Sequence, residues 1–110
     1  MSTTIIREFS FEAAHRLPNV PQGHKCHRLH GHSWRCEVHV RGEVNPKSGW
    51  VCDFEDLWLA FEPFWQQLDH HTLNDLDGLD NPTSENLAHW IWDRLTPKLA
   101  GLCTIIIHSG

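Results

Sequence analysis

The chain has 110 residues, of which 40% are hydrophobic and 21% are charged, as is typical of one soluble globular domain. Its net charge of −5 at pH 7 argues against a broad electrostatic surface for nucleic acid. No apolar run approaches the length of a membrane span, and the N-terminus does not resemble a signal peptide. We therefore expect a single domain over residues 1–110, without a nucleic-acid or membrane partner.

The four cysteines, at positions 26, 36, 52 and 103, form no C-x-x-C pair and no framework typical of secreted proteins. Their pattern favours a reducing, cytoplasmic location. Cys36 and Cys103 lie in apolar runs, and we expect both to be buried as small hydrophobic residues.

The first half of the chain predicts two strands separated by a loop. Residues 4–13 place Ile5, Phe9, Phe11 and Ala13 on one face of a strand. Residues 16–29 contain two prolines and a glycine and predict a loop. Residues 34–41 alternate apolar and polar side chains with period two, which predicts a half-buried second strand.

The second half predicts two helices and a closing strand. Asp53 is suited to cap a helix that begins at Phe54, which Pro63 should kink or restart. After a loop over residues 74–82, Thr83 can cap a second helix over Ser84–Leu95. Residues 102–107 read as a buried strand. The order predicts an α+β domain with both helices on one face of a largely antiparallel sheet.

Histidine is the unusual component, with ten residues in the chain and five of them between positions 15 and 32. Because side chains two apart on a strand point the same way, His30 and His32 share a face with the apolar residues of the second strand. His15 continues the apolar face of the first strand. If the two faces meet in one core, three imidazoles converge at its rim. We expect them to bind Zn²⁺ and to leave a fourth position open, as catalytic zinc sites do.

Cys26 lies four residues before His30 and has two interpretations. As a fourth ligand it would close the site and make the zinc structural. As a free thiol beside the metal it would act as a base or a nucleophile. The spacing does not decide between these roles, and His24 and His27 remain possible further ligands.

Asp69 and His70 directly follow the first predicted helix. An Asp–His pair near a thiol can relay its proton, but adjacent residues face each other only on irregular backbone. Taken alone, a helix-end aspartate and a solvated histidine are the simpler interpretation. Glu85 likewise reads as a first-turn acid that complements the helix dipole, unless it also meets a ligand.

Four short motifs stand out in the chain: residues 11–17 (FEAAHRL), 26–32 (CHRLHGH), 68–71 (LDHH) and 81–85 (NPTSE). Together they resemble the 6-pyruvoyltetrahydropterin synthase family, and the resemblance covers residues 4–108. The C-x-x-x-H-G-H spacing resembles its bacterial 6-carboxytetrahydropterin synthase branch, which acts in queuosine biosynthesis.

The resemblance implies the tunnelling fold (T-fold), a homohexamer built as a dimer of trimers, and active sites between subunits. It implies conversion of 7,8-dihydroneopterin triphosphate to 6-carboxytetrahydropterin, acetaldehyde and triphosphate. In this sequence it implies the following roles: zinc ligands His15, His30 and His32, catalytic residues Cys26, His70 and Asp69, and substrate contacts from Thr83 and Glu85.

Two further expectations concern the substrate. Arg16, Lys25 and Arg28 are candidates for holding the triphosphate. Family members carry a Glu-Thr pair whose glutamate anchors the pterin ring, whereas Ser109 and Gly110 stand at the aligned positions here. A serine cannot offer two acceptor oxygens to the ring, so we expect weaker pterin binding and a truncated final strand. A different pterin product and a non-catalytic zinc module remain the rival interpretations.

Overall fold

The computed structural model describes all 110 residues and contains four strands and two α-helices. In chain order these are β1 (Ser2–His15), β2 (His30–Glu43), α1 (Phe54–Leu68), β3 (His71–Thr72), α2 (Ser84–Leu95) and β4 (Leu102–Ser109). The sheet has the order β3-β1-β2-β4, and only the short β1–β3 pair is parallel. The predicted α+β architecture is confirmed.

β1 and β2 form a long antiparallel pair whose register determines the position of the site. All 14 residues of β1 are paired, from Ser2 opposite Glu43 to His15 opposite His30. Alternate side chains are buried, including Phe9 and Phe11 on β1 and Trp34 on β2. The period-two pattern therefore predicted the buried face correctly.

The helices cover that buried face, and both predicted N-caps are present. The Asp53 carboxylate accepts the Glu55 N–H at 3.0 Å, and the Thr83 hydroxyl accepts the Asn86 N–H at 3.1 Å. Helix α1 is continuous through Pro63, so the helix does not restart there. Its apolar stripe, with Leu57, Phe61 and Leu68 buried, packs on the sheet and outweighs the loss of one backbone hydrogen bond.

Two other expectations need correction at the sheet edges. The parallel strand β3 was not predicted, since two residues carry no periodic pattern. β4 pairs only with β2 and is an edge strand, so its side chains are half-buried and Cys103 is exposed rather than buried. No helix of the structure combines the length and the apolar character that crossing a membrane requires.

Candidate active site

Three imidazoles meet at one end of the β1–β2 pair. His15 and His30 are direct cross-strand partners, and His32 lies two residues further along β2 on the same face. The ring centroids are 4.6 Å apart for His15–His30, 4.8 Å for His30–His32 and 5.1 Å for His15–His32. One nitrogen from each ring lies within 4.8 Å of the other two, so the three residues can hold a metal ion.

Backbone carbonyls orient two of the rings. His15 Nδ1 is 2.7 Å from the Pro82 oxygen, and His30 Nδ1 is 2.7 Å from the Arg28 oxygen. A carbonyl only accepts, so each Nδ1 must carry the proton and donate it. The Nε2 lone pairs are then available to a metal, which is the arrangement that metal-binding histidines usually adopt.

Burial disfavours the charged form of two of the three imidazoles. Burial lowers the pKa of His15, and the neighbouring histidines add to this effect. Burial also lowers the pKa of His32, with a further contribution from His30. The Trp34 ring packs against His15 and His32, with centroids 5.0 and 5.3 Å away. Neutral nitrogen donors at the edge of an apolar core suit Zn²⁺.

Cys26 lies in the loop between β1 and β2, in a short 3₁₀ turn over Lys25–His27. Its side chain is half-buried, and its thiol does not belong to the group of mutually close metal-donor atoms. Neither His24 nor His27 belongs to that group. Among the other cysteines, burial raises the pKa of Cys36 to about 12, which makes that thiol unreactive.

Asp69 and His70 form a hydrogen-bonded pair beside the opposite edge of β1. His70 Nδ1 is 2.8 Å from Asp69 Oδ2, while Asp69 Oδ1 accepts the Glu12 N–H at 2.9 Å. That backbone bond is the main cause of the lowered pKa of Asp69, and His70 adds to it. His70 has φ = +58°, the single non-glycine residue with a positive φ. This irregular backbone lets two adjacent side chains meet.

An open cavity of about 550 Å³ extends along this end of the sheet. Its lining includes His32 and His70, together with Glu12 and Ser33. The Ser33 hydroxyl donates to Glu12 Oε1 at 2.7 Å. Cys26, His15 and His30 do not line it. Within one chain, therefore, the structure brings the three histidines together and pairs Asp69 with His70, but it does not place Cys26 and His70 in one cavity.

The remaining candidates lie outside this cavity. Thr83 caps α2, and Glu85 is exposed in the first turn of that helix. The basic residues proposed for the triphosphate, Arg16, Lys25 and Arg28, are exposed in or beside the Cys26 loop.

Pro82 and Glu12 are the residues that sequence reasoning missed. Both act through backbone atoms, Pro82 by accepting from His15 and Glu12 by binding Asp69 and His70. Backbone contacts leave no composition signal. The Pro82 contact nevertheless gives the 81–85 motif a physical role, because it connects the start of α2 to His15 of the histidine cluster.

Comparison with known proteins places these features in a family. Residues 4–108 match the family model described as 6-pyruvoyl tetrahydropterin synthase. A 6-carboxy-5,6,7,8-tetrahydropterin synthase from Synechocystis sp. is 47% identical over 83% of this chain and 73% of its own length. A dihydroneopterin monophosphate aldolase from Pyrococcus furiosus is 40% identical over 92% and 82%, respectively. The human 6-pyruvoyl tetrahydrobiopterin synthase is 35% identical over 86% and 75%.

The solved structures agree with the sequence matches. The 6-pyruvoyl tetrahydropterin synthase of Caenorhabditis elegans is similar over 100% of this chain and 96% of its own, with a TM-score of 0.85 and 28% identity. The three relatives above carry three different activity names, so the similarity indicates pterin chemistry without selecting one product.

Proposed function

The chain belongs to the 6-pyruvoyl tetrahydropterin synthase family, and from this premise we propose that it is a zinc-dependent carbon–carbon lyase. The proposed reaction converts 7,8-dihydroneopterin triphosphate and water to 6-carboxytetrahydropterin, acetaldehyde and triphosphate in queuosine biosynthesis. The observation that carries the proposal is the convergence of His15, His30 and His32, with two rings oriented by carbonyls and no carboxylate among them. The similarity to the Synechocystis synthase supports the choice of product.

Each of the proposed site residues has a distinct role in this reaction. A zinc ion on the three imidazoles would polarise the hydroxyls of the substrate side chain as a Lewis acid. The Cys26 thiolate removes a proton from that side chain, and His70 handles the second proton. Asp69 accepts from His70 Nδ1 and holds the ring in orientation, leaving Nε2 for the substrate. Redistribution of electrons over the ring expels triphosphate. One water molecule then supplies the second carboxyl oxygen, and cleavage of the side-chain carbon–carbon bond gives the carboxylic acid and acetaldehyde.

Assembly is part of the proposal. β4 has no partner on its outer side, and β3 pairs with β1 only at Ala13 and Ala14, so the sheet retains long unpaired edges. Exposed edges can pair with further strands, which supports a closed hexamer of two trimers. The separation of Cys26 from the cavity that His70 lines supports an active site shared between subunits. Four free cysteines support a cytoplasmic location.

Complementation tests the shared site directly. Cys26→Ala and His70→Ala should each abolish turnover when assayed alone. Oligomers assembled from a mixture of the two variants should recover part of the activity, because some sites then combine an intact Cys26 with an intact His70. Activity that stays absent in verified mixed oligomers would contradict a shared site.

Product analysis tests the reaction. The zinc-loaded chain is incubated with 7,8-dihydroneopterin triphosphate, and the products are identified by mass spectrometry beside a Cys26→Ala control. We expect 6-carboxytetrahydropterin and acetaldehyde only when Cys26 is present. A 6-pyruvoyl product or a simple aldol product would replace the proposed reaction with that of another family branch. Zinc retention without any turnover would support a non-catalytic zinc module.

Ser109 provides a variant that sharpens the assay. It pairs with Trp34, which places position 109 on the same face of the sheet as the metal ligands. Substituting Ser109→Glu restores a carboxylate that can accept two N–H groups of the pterin ring. We expect this variant to lower KM for the pterin substrate, whereas Ser109→Gln, which has one acceptor oxygen, should recover less affinity.

A further inference from the structure

We propose that His24 is a positioning residue for Cys26: its imidazole accepts the backbone N–H of Cys26 and thereby holds the reactive thiol in place. The inference rests on the proposed function, in which Cys26 removes a proton from the substrate. It gives a role to one of the loop histidines that the metal site does not use.

The loop that carries Cys26 has little else to hold it. None of residues 16–29 is fully buried, and its apolar members Leu17 and Val20 are only half-buried, so apolar packing anchors the loop weakly. In such a segment the conformation depends on a few hydrogen bonds. Two of those bonds hold the backbone of Cys26, while others close the turns at His24, His27 and Arg28.

Cys26 is held on both sides of its backbone. Its N–H donates to His24 Nδ1 at 3.0 Å, and its carbonyl accepts from the Leu17 N–H at 2.8 Å. His24 is the N-cap of the 3₁₀ turn and has an extended backbone, with φ −73° and ψ 138°. This is the role that Ser, Thr, Asp or Asn usually takes at the start of a helix.

The hydrogen bond from Leu17 connects the backbone of Cys26 to the end of β1, where His15 lies. Leu17 lies two residues after His15, and the intervening Arg16 is bound at both its N–H and its carbonyl by the Asn74 side chain, at 2.9 Å in each case. The hydrogen bonds of Asn74 to Arg16 and of Leu17 to Cys26 therefore hold the carbonyl side of Cys26 near the end of β1. His24 supplies the other side.

The chemistry predicts which substitutions preserve this contact. The interaction needs a side-chain lone pair two residues before Cys26, which an asparagine carboxamide oxygen also offers and an alanine does not. His27 is the matched control, because it lies in the same turn, is half-buried, and makes no side-chain hydrogen bond.

The test compares zinc-loaded His24→Ala, His24→Asn and His27→Ala with the unmodified chain. The rate of Cys26 alkylation by iodoacetamide is measured by peptide mass spectrometry, with the exposed Cys103 of the same molecule as the internal reference. Zinc content, kcat and KM are measured in parallel.

In His24→Ala we expect the Cys26:Cys103 alkylation ratio to rise as the loop opens, while zinc content stays unchanged. We expect kcat to fall roughly tenfold to a hundredfold, the scale of a displaced reacting group, with a smaller change in KM. His24→Asn should restore both the ratio and kcat, and His27→Ala should match the unmodified chain.

An unchanged alkylation ratio in His24→Ala would overturn the proposal, as would failure of His24→Asn to restore it. A rise in the ratio equally large in His27→Ala would also overturn it, because the effect would then belong to the whole loop. If the unmodified chain turns over no pterin, the proposed function fails, while the alkylation ratio still decides the role of His24.

Discussion

Strand β2 carries two histidine clusters on opposite faces, and they satisfy their polar groups in different ways. On the helix-covered face, His30 and His32 meet His15 with no carboxylate between the rings. On the open face, Glu37 lies between two imidazoles, with Oε1 2.9 Å from His39 Nε2 and Oε2 2.5 Å from His108 Nε2.

The two clusters differ in the partner that their imidazole nitrogens have. The open-face cluster needs no metal ion, because Glu37 supplies the negative charge and one acceptor oxygen for each imidazole N–H. Hydrogen bonds from His108 and His39 accordingly lower the pKa of Glu37. In the other cluster burial disfavours protonation of His15 and His32, so the rings present lone pairs to one another. A bound cation would accept these lone pairs, which is consistent with the proposed zinc site.

The largest expected effect is on metal binding. His32→Ala removes one of three donors and should eliminate bound zinc and turnover. His39→Ala, on the opposite face of the same strand, should leave zinc content unchanged. Elemental analysis of the purified variants after dialysis measures both. Retention of stoichiometric zinc by His32→Ala would break the distinction between the two clusters.

The next effect concerns the packing of Trp34 against the histidine cluster. Trp34 is fully buried behind His15 and His32. Trp34→Ala should cost about 3–5 kcal/mol of the free energy of unfolding, because it leaves a large cavity. Denaturant titration of the zinc-free protein measures this loss. Trp34→Phe fills most of the space and should cost clearly less; equal losses in the two variants would mean that packing is not the cause.

A smaller effect is expected at the N-terminus of α2. Thr83→Ala removes the side-chain cap and should cost about 1 kcal/mol. Because Pro82 precedes the cap and orients His15, the variant should also weaken zinc binding slightly. Thr83→Ser keeps the hydroxyl and serves as the control. Competition with a zinc chelator measures the affinity, and identical affinities in all three proteins would show that α2 does not support the metal cluster.

The smallest effect is a pH dependence at the open face. Glu37 has a lowered pKa in the folded protein, so its ionised form contributes stability above the ordinary value of 4.5. That contribution is lost as the pH falls through the lower, folded-state pKa. The difference in the free energy of unfolding between the unmodified chain and Glu37→Gln should therefore shrink on acidification below pH 4.5. If the stability difference between the two proteins grew on acidification, the pKa of Glu37 would be raised rather than lowered on folding.

Much of the site was predictable because strand periodicity is a local property. The alternation around Trp34 predicted the buried face of β2 and, with it, the shared direction of His30 and His32. The same reasoning placed His15 on the matching face of β1. Prediction of a helix restart failed at Pro63, where packing of α1 on the sheet outweighs a local preference. It also failed at Cys103, because apolar composition does not reveal that β4 lies at an edge.

The sequence by itself determined the two caps, the buried faces of the long strands and the residue types of the histidine cluster, since each depends on neighbours within a few positions. Tertiary structure decided which groups meet: Pro82 with His15, Asp69 with the backbone of Glu12, and Glu37 with His108. These partners lie 67, 57 and 71 residues apart in the chain. No local pattern encodes contacts at such separations, because they form only when the sheet and the helices are assembled.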